Sequence, residues 1–342
     1  MEGIKKDNHY VPQAYLRRWQ TNGQVLTYRL LVPHEKWPDW KGYSPKGIAK
    51  LQHLYTYFSG SADSDEMERW LDSDFEQPGL ASIEKVVREA QMTAEDWHNL
   101  FRFAVAQSVR TPTDLQRFLK RQDETLEALL ADSMKGSVAK FQAAKASGVE
   151  LELPPVIDTS KKLPLKLGRV ENSDDSVNIQ AKVLNGRKFW IWRIEHILKN
   201  TINSIQVPRW TILHAPLGTS WPTTDNPLIR LKVKANGKIS LDSGWEVTGT
   251  MIFLPLSPKH LLYAQVGQRP PVRGTILGHQ EAAFIRTAIL NSASRYIFST
   301  DTQDIAECWP RTVSREQYDE ENKFWTDWHS KQSEEEAHYP NL

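Results

Sequence analysis

Two spacings of apolar residues divide this chain, and they limit its fold more than any other feature. Trp97, Leu100, Phe101, Ala104, Val105 and Ser108 keep the three-to-four-residue spacing of a helix with one buried face. Val183, Phe189, Trp190, Trp192, Ile194, Ile197 and Leu198 do the same, so 176–205 reads as helical. After residue 209 the pattern shortens to β-rich runs, Trp210 to His214, Leu228 to Val233, Met251 to Leu254 and Leu261 to Ala264, separated by Gly, Pro, Asn and Asp. Helices first and strands later predict an α+β fold rather than an alternating α/β sheet. The expected arrangement is a helix-rich N-terminal two-thirds packed with a mainly antiparallel sheet formed by the C-terminal third.

Local signals mark the boundaries. Thr93 with Asp96 forms a capping-box variant at the start of the long helix, which stops near Thr111-Pro112. Residues 113–148 are rich in Leu, Ala, Lys and Glu and predict a polar helical arm, followed by a loop at 149–173 that carries Leu153-Pro154-Pro155. From Met67 to Gln91 the pattern is helical, interrupted at Gln77-Pro78-Gly79. Val25 to Leu30 reads as a strand after an Asn22-Gly23 turn, and 280–290 as a helix. A single α+β domain over 1–310 and a charged tail over 311–342, helical or disordered, complete the reading.

Composition narrows the function. Lys and Arg (43) balance Asp and Glu (42), so no global field draws the protein to nucleic acid or an anionic membrane. The single cysteine, Cys308, excludes an internal disulfide and a cysteine-rich zinc site, and suits a reducing compartment. Residues 1–7 lack the apolar stretch of a secretory signal, and no window reaches the ~18 apolar residues of a membrane span. A cytoplasmic protein is expected. G-x-x-x-x-G-K-[ST], G-x-G-x-x-G, H-E-x-x-H, G-x-S-x-G and C-x-x-C are all absent, which counts against P-loop, Rossmann, zincin and α/β-hydrolase chemistry.

His9-Tyr10-Val11-Pro12-Gln13 with Leu16, then Tyr55-Thr56, Arg110-Thr111-Pro112, Thr224-Asp225-Asn226-Pro227, Leu254-Pro255-Leu256-Ser257-Pro258 and Asn291 follow one another in order. Together they resemble a bacterial domain-of-unknown-function family that opens on the His-Tyr-Val-Pro-Gln signature. The likeness runs from about residue 8 to 300 and implies a shared fold without a reaction. Thr224 stands where the resemblance leads one to expect Ser, and the hydroxyl is kept.

Four residues are the candidate catalytic group: His9, Gln13, Arg110 and Asp225. His9 titrates in the range useful for proton transfer, or is a satisfied core histidine beside the proline-started helix; Gln13, one turn on, can orient it. Arg110 ends an amphipathic helix, where a cation is favoured by the dipole, or binds an anion. Asp225, with Asn226, offers hard oxygen ligands for Mg²⁺ or Mn²⁺, or closes an Asx-turn before Pro227. Glu68 and Glu76 read as surface positions, and His214, His260 and His279 lack metal-ligand spacing.

Two functions follow. The first is a metal-assisted, nuclease-like hydrolase acting on a phosphodiester or nucleotide, an effector in bacterial defence against phages or rivals by analogy. The second is a non-catalytic binding or scaffold protein that meets a protein partner through the arm at 113–148.

Overall fold

The computed structural model describes residues 6–36, 39–59, 62–148, 165–171, 177–302 and 314–338. The first part holds β1 (Asp7–His9), α1 (Gln13–Leu16), β2 (Gln20–Thr21), β3 (Gln24–Arg29), β4 (Lys41–Tyr43), β5 (Lys50–Gln52), β6 (Tyr57–Ser59) and β7 (Ala62–Ser64). Helices α2 (Glu66–Leu71), α3 (Gln77–Val87), α4 (Ala94–Val109) and α5 (Pro112–Ala146) come next. A hairpin of β8 (Leu165–Glu171) and β9 (Val177–Val183) precedes α6 (Arg187–His196) and α7 (Ile202–Ser204). The remainder contains β10 (Thr211–His214), β11 (Thr223–Thr224), β12 (Ile229–Val233), β13 (Ile239–Ser240), β14 (Met251–Pro255), β15 (His260–Gln265), β16 (Thr275–Ile276), α8 (His279–Ser292), β17 (Tyr296–Ser299) and α9 (Arg315–His338).

The fold is mixed α and β, but the expected segregation of helices from strands does not hold. β3 pairs antiparallel with β17, Thr27 opposite Phe298, in a sheet ordered β11-β17-β3-β2 with β4 also on β3. Asn22 and Gly23, at φ 50° and 80°, make the tight turn that folds β2 onto β3. The larger sheet, β13-β12-β14-β15-β10-β16, is antiparallel except for the β10–β16 pair. The helical reading of 176–205 is corrected at its start: Val177, Ile179, Ala181 and Val183 alternate with polar residues, a period of two, and form β9. The loop expected at 149–173 ends in β8, and its Leu153-Pro154-Pro155 lies outside the described residues, as does Cys308.

Helix α8 covers one face of the larger sheet, burying Ala282, Ile285 and Ile289 against Leu213, Ile229, Phe253 and Leu261. The main core joins α1, α3, α4 and α6 to the sheets through Tyr15, Leu16, Trp19, Ile83, Phe103, Trp190 and Leu254. Two hydrogen bonds tie the opening segment to the late strands. The Tyr15 hydroxyl donates to the Pro255 carbonyl at 2.6 Å, and Trp19 Nε1 donates to the Trp221 carbonyl at 2.7 Å.

The break expected at Gln77-Pro78-Gly79 is absent, because the chain stays helical from Glu66 to Val87 through a widened π-type turn over Asp72–Glu76. Pro78, which has no N–H to donate, lies just after that widened turn. The capping box at Thr93 forms in full: Asp96 N–H donates to Thr93 Oγ1 at 3.2 Å and Thr93 N–H donates to Asp96 Oδ2 at 2.8 Å. Helix α5 has 35 residues, about 52 Å at 1.5 Å per residue. Leu115 and Phe118 bury its base, whereas Leu129 and Val138 farther out are 60% and 44% exposed. The C-terminal segment packs down as α9, burying Trp328, Gln332 and Glu336. Among the described residues, no helix is long and apolar enough to cross a membrane.

Gly79 sets the approach of α3 to α4, since a Cβ there would lie 2.6 Å from Phe103 Cβ. Ala at this position gains about 1 kcal/mol of helix propensity, but overpacking costs about 1 to 3 kcal/mol. Gly79→Ala is therefore expected to lower the unfolding free energy by up to about 2 kcal/mol in urea denaturation. An unchanged or raised midpoint would show that the two helices can separate freely.

Candidate functional site

His9, Gln13 and Arg110 are brought together, and the imidazole of His9 and the guanidinium of Arg110 are already engaged. His9 Nε2 donates to the Lys46 carbonyl at 3.2 Å, and Nδ1 accepts from Gln13 Nε2 at 3.4 Å. Both ring nitrogens are thus matched in the neutral state, and burial lowers the His9 pKa. Arg110 is fully buried at the end of α4. Its Nη2 donates to the His9 carbonyl at 2.6 Å, its Nε to the Tyr55 hydroxyl at 3.3 Å, and its Nη1 to Glu76. The Tyr55 hydroxyl in turn donates to the Arg110 carbonyl at 2.5 Å. Glu76, read from sequence as a surface residue, is the anion that this guanidinium requires. The widened turn before α3 delivers it, and no periodic signal in the sequence marks such a turn.

Asp225 stands apart from that group. It is 2% exposed, and its two oxygens accept the backbone N–H groups of Ser294 and Arg295, each at 2.9 Å. The carboxylate therefore clamps the link between α8 and β17; the turn at its own position is closed by Thr224 Oγ1, which accepts the Asn226 N–H at 3.1 Å. Its charge is felt by Tyr10, whereas the charges acting on His9 are those of Lys50, Asp7 and Arg110. Burial raises the Asp225 pKa to about 6, against the lowering effect of the Ser294 and Arg295 N–H groups.

Asn226 faces a different environment. Its Nδ2 donates to Thr113 Oγ1, the Ser292 carbonyl and Ser294 Oγ at 3.0 to 3.1 Å, and it lines a polar cleft of about 120 Å³ between α4, α5 and the β12 region. Arg117, Arg230, Asp242 and Asn291 line the same cleft. Gln107 also lines it: the residue is 1% exposed, and neither its Nε2 nor its Oε1 has a hydrogen-bond partner. Sequence reasoning passed over Gln107. Its position four residues after Phe103 and three after Ala104 places a polar amide on the apolar face of α4, and that irregularity was the available signal.

Carboxylate and imidazole donors gather elsewhere. Among the described residues, Glu89, His214 and His260 have ligand atoms within 4.8 Å of one another. His214 and His260 lack metal-ligand spacing in the sequence, but the β10–β15 ladder sets them directly opposite each other. Burial, reinforced by His214 and Lys259, lowers the His260 pKa to about 4, so its ring is neutral at neutral pH.

These features define a mixed α and β protein with a polar cleft at the α4–β12 junction and a separate Glu-His-His group at a strand end. The chain belongs to the family described as Protein of unknown function (DUF4238), which matches residues 7–303. No curated protein and no solved structure matches it.

Two measurements probe the sealed groups. Glu76→Gln leaves a buried guanidinium without its hydrogen-bonded anion and is expected to cost about 3 kcal/mol in chemical denaturation; a loss below about 1 kcal/mol would mean that Glu68 alone suffices as the counter-charge of Arg110. For Asp225 the folded pKa, about 6, lies above the ordinary 3.8, so the stability linked to its protonated form is complete below 3.8 and lost as pH rises through 6. Relative to Asp225→Asn, the wild-type protein should lose about 2 to 3 kcal/mol between pH 4 and pH 7. A difference that stays flat with pH would overturn the buried-carboxylate assignment.

Proposed function

We propose that this is a binding protein for a small planar ligand that carries adjacent hydrogen-bond donor and acceptor atoms, a nucleobase or nucleotide being the fitting chemistry. The observation that carries the reading is the Gln107 amide, buried in the wall of the cleft with both ends unmatched. An unmatched buried amide costs about 1 to 3 kcal/mol, and a base edge with neighbouring donor and acceptor would satisfy both of its ends at once. Arg117 and Arg230 line the cleft paired with Asp242, Arg117 at 3.3 Å, and a phosphate would take the place of that carboxylate.

In this reading His9, Gln13, Arg110 and Asp225 are the frame that holds the cleft, because their polar atoms are committed to protein partners. The metal-assisted hydrolase is the second reading, supported by the Glu89, His214 and His260 donors rather than by Asp225 and Asn226. A protein partner on α5 is part of the proposal, supported by the exposure of Leu129 and Val138. So is a cytoplasmic location, supported by the single cysteine.

Calorimetric titration with nucleobases, nucleosides and nucleotides tests the reading. Gln107→Leu is expected to abolish binding while raising the stability of the free protein by about 1 kcal/mol, since it removes an unmatched polar group. Binding that survives Gln107→Leu, or none across the panel, would defeat it. Incubation with DNA, RNA and nucleotides in Mg²⁺ or Mn²⁺ should show no turnover that depends on His9 or Asp225. Selective loss of an activity in folded His9→Ala would restore His9 as a catalytic group.

A further inference from the structure

His214 closes β10 and His260 opens β15, and antiparallel pairing places them directly opposite each other. Their rings meet edge to face with centroids 4.8 Å apart. Side chains at such paired positions leave the same face of the sheet, so two imidazoles converge here although 46 residues separate them in sequence.

The environment of His260 is asymmetric. Its Nδ1 lies 2.8 Å from Ser257 Oγ, which can accept the Nδ1 proton and fix the ring plane. Its Nε2 is buried, has no hydrogen-bond partner, and points to Glu89 Oε1 at 3.9 Å. A histidine held through one nitrogen by a protein oxygen, with the other free, is the usual state of a metal-ligating imidazole.

Glu89 completes the group from the opposite side. It follows α3 with a left-handed backbone at φ 55°, a conformation unfavourable for a residue with a Cβ. Its carboxylate also stands at the negative end of the helix dipole, where a cation is favoured. The Lys259 ammonium takes that place, 2.6 Å from Glu89 Oε1.

We propose that Glu89, His214 and His260 form a binding site for a divalent first-row transition metal ion of the zinc type, with its remaining coordination positions open to water. Two imidazoles and one carboxylate are the donor set of zinc sites that keep an exchangeable ligand. Imidazole nitrogen selects Zn²⁺ or Co²⁺ over Mg²⁺, so the metal expected from sequence changes in kind as well as in place. Bonds of about 2.0 to 2.1 Å in a tetrahedron set donors about 3.4 Å apart. The present donors lie within 4.8 Å, so they must draw together, and Glu89, with 57% of its side chain exposed, is free to move. Lys259 and Arg273 oppose a dication at this spot, and the ion must displace Lys259 from Glu89. The site is therefore weaker than its ligands alone would make it.

The test uses the full chain, stripped with a chelator and titrated with Co²⁺ and then Zn²⁺. One equivalent of Co²⁺ should bind with visible d–d absorption, and Zn²⁺ should displace it. Glu89→Gln and His214→Gln should each weaken Co²⁺ binding at least ~10-fold. Lys259→Met should tighten it, because the competing cation is gone, whereas His34→Gln should leave it unchanged. Circular dichroism of each variant confirms the fold. The exposed Glu89 and Lys259 variants decide the matter even if His260→Gln unfolds. No stoichiometric binding, or binding unmoved by both Glu89→Gln and Lys259→Met, would overturn the site.

Discussion

A guanidinium with no exposure to water can persist in a fold only where an anion and several oxygen atoms are built around it. Arg110 is that group, and its surroundings account for much of the architecture. Its demand for charge draws Glu76 inward, which needs the widened turn at Asp72–Glu76. Its remaining donors draw in the Tyr55 hydroxyl and the His9 carbonyl, which seat β1 and the segment after β5 against the end of α4. Glu76, Tyr55 and Glu68 outweigh the effect of burial and hold the charge in place.

The same logic separates architecture from chemistry. A polar residue with every atom matched to protein has spent its capacity to bind anything else, and His9, Arg110 and Asp225 are of this type. Tyr10, Val11, Tyr15, Leu16 and Trp19, all 1% exposed or less, make the opening segment part of the main core, with hydrogen bonds that reach Pro255 and Trp221. The His-Tyr-Val-Pro-Gln signature and its following helix thus work as an anchor. Among the buried atoms left unmatched, both ends of Gln107 and His260 Nε2 lie at other places.

How much of this was legible in the sequence depended on the range of the interaction. The capping box at Thr93 and the end of α4 at Arg110 are set by neighbours within a few residues, and they read correctly. The β8–β9 hairpin was also local: Val177, Ile179, Ala181 and Val183 alternate, but the aromatic residues that follow masked the change of period. By contrast, β3 pairs with β17 about 270 residues away, and no local pattern shows which late strand will complete the sheet (Phe298 opposite Thr27). The Glu76–Arg110 pair and the meeting of His214 with His260 depend on such long-range contacts and were invisible before the fold. Asp225 was singled out as a catalytic and metal-binding candidate, but its partners, two backbone N–H groups near residue 294, lie beyond what a motif encodes.

Helix α9 begins after residue 303, where the family match ends, yet it supplies one half of a fully buried ion pair. Arg187 is wholly enclosed; Glu336 accepts from its Nε at 3.1 Å and its Nη2 at 2.8 Å, while Gln332 Oε1 accepts its backbone N–H at 2.6 Å. A polypeptide ending at the family boundary would lack every one of these partners of Arg187. The family match therefore stops short of a helix whose side chains complete the packing around α6.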